Sequence, residues 1–91
     1  MERVNMDVDK QTRMAIDYAV KVALETGSFI RKVKEGDFEL TKERLMEELS
    51  KIMKAKELIQ KCEHRAVALP LERQDLDNIE KQLWGIVIER L

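Results

Sequence analysis

Cysteine, histidine and proline occur once each in these 91 residues, and glycine three times. A single cysteine excludes an intramolecular disulfide, and a single histidine excludes most zinc sites built from one chain. So little glycine and proline excludes a turn-rich β sandwich and a flexible linker protein. No apolar run approaches the roughly 20 residues that cross a bilayer, and the first residues lack the apolar core of a signal peptide. An excess of either charge is also missing, because 17 Lys and Arg face 18 Asp and Glu for a net charge of -1. A dedicated nucleic-acid binder normally carries a clear basic excess.

What is present is 44% hydrophobic and 38% charged residues, enough for a modest core in one domain. The expectation is a soluble, cytoplasmic, all-α protein. Abundant Lys, Glu and Arg beside only two Asn points to a thermophilic source.

Residues 1–9 show no sustained period and are expected to fray, leaving 10–91 as a single helical domain. From about residue 10 to 34, Ala15, Ile16, Ala19, Val22, Ala23, Ile30 and Val33 recur at helical steps, and Asp17, Lys21, Glu25, Ser28 and Lys32 fall opposite. Met14, Tyr18, Val20, Leu24 and Phe29 widen the apolar arc, as in a helix that touches more than one neighbour. Gly27 falls within this helix without ending it, because Phe29, Ile30 and Val33 continue the face in phase. Gly36 suits a left-handed helix end, with Asp37 or Thr41 as the next cap.

The second helix is expected over about 38–64. Its spine is Leu45, Ile52, Ile59 and Ala66, flanked by Met46, Leu49 and Met53 and then by Ala55, Leu58 and Cys62. Pro70 marks the second boundary. A third helix over about 72–90 carries the stripe Leu76, Ile79, Leu83 and Ile86, with Trp84, Val87, Ile88 and Leu91 as a second strip beside it. Gly85 marks a place where another backbone comes close. Acids gather at helix starts and bases at helix ends, which suits both the helix dipoles and antiparallel neighbours. Short connections complete the case for an antiparallel up-down-up three-helix bundle.

Three helices need one seam each, so the extra apolar strips point outward. Trp84, Val87, Ile88 and Leu91, with Met14 and Tyr18, form the candidate interaction face, suited to a homodimer or to docking another protein. The expected role is a small non-enzymatic protein acting through association, as self-assembly or as an adaptor, with no cofactor, metal or membrane.

Chemistry has fewer footholds. Cys62 falls on the apolar side of the second helix, as a small hydrophobe would. His64 finishes that helix, and no Glu-x-x-His pair exists to build a bundle metal site. Glu39, Glu43 and Glu47 stand at four-residue steps, and Glu47-Glu48 resembles the paired glutamates of all-α nucleotide pyrophosphatases. That resemblance implies a magnesium-dependent phosphohydrolase as the alternative, although the third glutamate is missing at the family's spacing and the later Glu-x-x-Asp is matched only by Glu72-Arg73-Gln74-Asp75 at the start of the third helix. Lys51, Lys54, Lys61 and Arg65 lie near one side of the second helix and define a second alternative, a weak accessory nucleic-acid binder. No aromatic residue interleaves with them for base stacking. Residues 33–39 resemble turns of helical hairpins, including tetratricopeptide and translin-type proteins, without the defining repeat or binding residues of either.

Overall fold

The computed structural model describes the backbone of residues 2–36 and 39–90 and the side chains of residues 10–36 and 39–89. Three helices make up the fold: α1 (Glu2–Glu35), α2 (Lys42–His64) and α3 (Pro70–Arg90), with no strand among the described residues. Each helix packs on both others. Thr26 meets Glu48 while Lys54 sits over Tyr18, so α1 and α2 run antiparallel. Arg73 meets Glu63 while Lys56 meets Glu80, so α2 and α3 do as well. The molecule is 52 Å long, which α1 spans by itself at ~1.5 Å per residue.

Helix bounds depart from the sequence expectation in three places. The first helix starts at Glu2 rather than near residue 10. Residues 2–9 contain neither Gly nor Pro, and extending a formed helix gains one hydrogen bond for each residue fixed. The second starts at Lys42 rather than near residue 38. Thr41 is the cap, its hydroxyl accepting the Arg44 backbone N–H at 3.2 Å. Leu40 and Leu45 flank it at the positions of a hydrophobic staple, and both pack on the core. Asp37, the other candidate cap, lies outside the described residues. The third helix starts at Pro70 itself, not at residue 72. Proline is preorganised for the first helical position, where its missing N–H would have no partner anyway.

The two connections close in different ways. Gly36 takes φ 84° and donates its N–H to the Val33 carbonyl at 3.1 Å, as its position suggested. At the other connection Ala66 takes φ 65°. Its N–H donates to the Glu63 carbonyl at 2.9 Å and that of Val67 to Cys62 at 3.0 Å. These are the paired bonds of a Schellman ending, with alanine where glycine is usual. Ala66 is therefore exposed in the turn and does not continue the α2 spine.

The core is one cluster drawn from all three helices, including Val22, Phe29 and Val33, then Ile52, Ile59 and Cys62, then Leu76, Leu83 and Ile86. Gly27 lies inside an unbroken α1, where an added Cβ would sit 3.6 Å from Ile79 Cδ1, an ordinary contact. At Gly85 no other helix among the described residues places an atom within 4 Å of that position, so the close backbone expected there is not found among them. Among the described residues, Thr26 and Glu48 are the polar side chains that join the core.

Candidate interaction face

The second apolar strip of α3 is largely exposed. Ile88 is 82% exposed and Trp84 45%, and the two line a shallow depression with Lys81 and Gly85. The Trp84 indole N–H donates to Glu80 Oε2 at 3.4 Å. Val87 turns inward and packs, half-buried, against the core. Leu91 lies outside the described residues.

Met14 and Tyr18 do not join this patch. Gly27 is level with Ile79, and at ~1.5 Å per residue this register separates Met14 from Trp84 by about 27 Å along the bundle. Met14 instead borders a pocket with Leu58, Cys62 and Arg65 at the α1/α2 groove. Tyr18 is half-buried, with Lys54 Nζ 5.5 Å from its ring centroid.

Two residues that sequence reasoning assigned to the flank of the core take their place. Met46 is 63% and Met53 69% exposed. The Lys56 ammonium bridges Asp77 at 2.8 Å and also pairs with Glu80, which fixes α2 against α3. Counting from that bridge, Met53 is level with Lys81, and Met46 with Ile88. Met53 lies one turn from Lys56 and on the edge away from Lys51 and Lys54, which face α1. Met46, Met53, Trp84 and Ile88 thus edge one face, that of α2 and α3. The seven-residue spacing of the two methionines was visible in the sequence, but their side of the helix was not.

Around Glu48 the α1/α2 side is polar by contrast. Glu48 is only 1% exposed. Its Oε1 accepts from the Thr26 hydroxyl at 3.1 Å and its Oε2 pairs with Lys51 Nζ at 2.8 Å. Lys51 also reaches Glu25 at 3.5 Å. Glu25, Glu48 and Lys51 line an open cleft of about 280 Å³ with Phe29, Lys32 and Arg44, and the Arg44 guanidinium lies 5.5 Å from the Phe29 ring centroid. Burial works against the charge of Lys51, but the Glu48 and Glu25 carboxylates outweigh it and raise its pKa above the ordinary 10.5. Lys56 is raised in the same way, burial opposing and Asp77 and Glu80 prevailing. A lysine tuned for proton transfer shifts downward, so both serve as fixed cations.

The sets that suggested chemistry are drawn apart. Glu39 precedes α2 and cannot share a helical face with Glu43 and Glu47, and Glu47 pairs with Arg44 at 3.3 Å. No group of three or more His, Cys, Asp or Glu among the described residues could hold a metal ion. Of the basic stripe, Lys51 and Lys54 are engaged with α1. Comparison with protein-family models, curated proteins and solved structures gives no match.

Cys62 is buried in the core, and His64 ends α2 in solvent. No helix among the described residues is long and apolar enough to cross a membrane. Glu48 and Thr26 are the buried pair that sequence reasoning missed. Their signal was position, since each stands where the seam spacing of its helix calls for an apolar residue.

Proposed function

We propose that this chain is a non-enzymatic association module that binds a protein partner through the outer face of α2 and α3. The observation that carries the reading is the exposure of Ile88 and Trp84 on α3, level with Met46 and Met53 on α2. Large apolar side chains scattered singly need no explanation, but a contiguous group marks a contact surface. The face has an aromatic anchor, and methionines adapt to a partner's shape. The closed ion pairs between the helices support the same reading, since they hold charges in place and leave Lys51, on the α1/α2 side, and Lys56, between α2 and α3, protonated. A cytoplasmic home fits the lone, buried Cys62, and a thermophilic source fits the Lys, Glu and Arg content.

Ile88→Glu tests the proposal. Helix content by circular dichroism should be unchanged, and the urea-derived stability, measured at dilutions where only monomer exists, should stay within about 0.5 kcal/mol of the parent, as for an exposed substitution. Binding of a dye that lights up on apolar surface should fall. Loss of helix content would place Ile88 in the core and end the proposal.

A further inference from the structure

We infer that the partner of the α2/α3 face is a second copy of this chain, packed about a two-fold axis parallel to the helices. This rests on the association reading above and names its partner. A two-fold of this direction sets α3 of one copy against α2 of the other, and each keeps its sense along the axis. The contact is therefore antiparallel, like the α1/α2 and α2/α3 contacts inside the chain.

The face is complementary to itself under that operation. Met46 and Ile88 lie at one level, so Ile88 meets the partner's Met46. Trp84 meets the partner's Met53, which sits less than one turn lower. Lys81 is level with Met53, and Glu57 follows Met53 by one turn on the outer side of α2. Lys81 thereby reaches the partner's Glu57 across the rim, and both side chains are exposed in the single chain. The centre of the contact is apolar and its edge pairs opposite charges, the usual anatomy of a protein interface.

Area supports the same partner. At ~1.5 Å per residue, α3 is about 31 Å long, and the bundle is 20 Å across. Two such faces offer about 1,240 Å², within the ~1,200–2,000 Å² that specific interfaces bury. The area falls at the low end, so the dimer should dissociate on dilution. A net charge of -1 adds little repulsion between copies.

The test is light scattering on the full chain over about a hundredfold dilution, where mass action governs the equilibrium. The mass should fall from twice the 10.7 kDa of one chain toward that value. Ile88→Glu should weaken dimerisation at least about tenfold with helix content unchanged. Lys81→Glu should weaken it, and adding Glu57→Lys to that variant should restore it, because the two charges meet only across this two-fold. A parent that is monomeric throughout overturns the inference. If that monomer still binds apolar dye and Ile88→Glu does not, the association reading survives with another protein as partner. If Ile88→Glu loses helix content, both fall. A dimer indifferent to Ile88→Glu, or unrestored by the charge exchange, overturns this face and this two-fold.

Discussion

On the α1 side of α2, a glutamate lies where an apolar residue would be expected, and its two oxygens are taken by Thr26 and Lys51. On the α3 side, a lysine bridges two partly exposed carboxylates while methionine, tryptophan and isoleucine stand in solvent. The polar side is thus complete within one chain, and the apolar side is not. A buried carboxylate is costly unless every lone pair finds a donor, which demands one register between helices. Exposed apolar groups demand nothing of their own chain and leave their burial to something else. Register and association are therefore assigned to opposite sides of the same helix.

The largest expected effect comes from removing the buried acid. Glu48→Ala should lower the urea-derived stability by about 2–3 kcal/mol, through a cavity and the lost bonds of Thr26 and Lys51. Glu48→Leu fills the volume and should lose much less. If both cost the same, hydrogen bonding is not what makes the α1/α2 side complete.

A paired comparison sharpens the contrast. Lys51→Met should cost more than Lys56→Met, because it strands a carboxylate that is 1% exposed. Lys56→Met leaves Asp77 and Glu80 within reach of water and should cost under about 1 kcal/mol. Equal losses in parallel urea titrations would erase the distinction between the two sides.

Alkaline pH gives a smaller effect. Lys51 and Lys56 titrate higher when folded than their ordinary 10.5, burial opposing and their carboxylate partners prevailing. Just above that value the folded state keeps protons that the unfolded chain has released, so rising pH favours unfolding. The two contributions should be intact below 10.5 and be lost as pH climbs through the raised values. The urea midpoint should show an alkaline fall that shrinks in a variant lacking both lysines.

The smallest effect belongs to the open side. Met53→Gln should change the stability of the monomer by less than about 0.5 kcal/mol. A larger loss, measured at dilutions where only monomer exists, would make Met53 part of the core.

Most of the architecture was legible in the sequence because it rests on period. The buried residues of α1 and α3 follow three- and four-residue steps, and Gly36 and Pro70 marked the connections. Bounds were less legible, since caps depend on single side chains: Thr41 sets one start and Pro70 another. The site was half legible. Trp84 and Ile88 stood out as surplus, but Met46 and Met53 required the register that Lys56 sets with α3. The charge of Glu48 reads as one of the acids near the start of α2, whereas its place on the Leu45–Ile52–Ala55 seam puts it in the core.

The backbone at Ala66 bears on how the chain folds. An L-residue with φ 65° gives up roughly 1 kcal/mol that glycine would not, whereas the α1–α2 connection places a glycine at its own left-handed position. The α2–α3 connection thus carries a backbone cost that the α1–α2 connection does not, and α3 should be the helix that undocks most readily. Hydrogen exchange should find α3 amides opening ahead of those at the centre of α2. Ala66→Gly should leave urea-derived stability equal or raise it by up to about 1 kcal/mol, because glycine takes this φ without the steric cost.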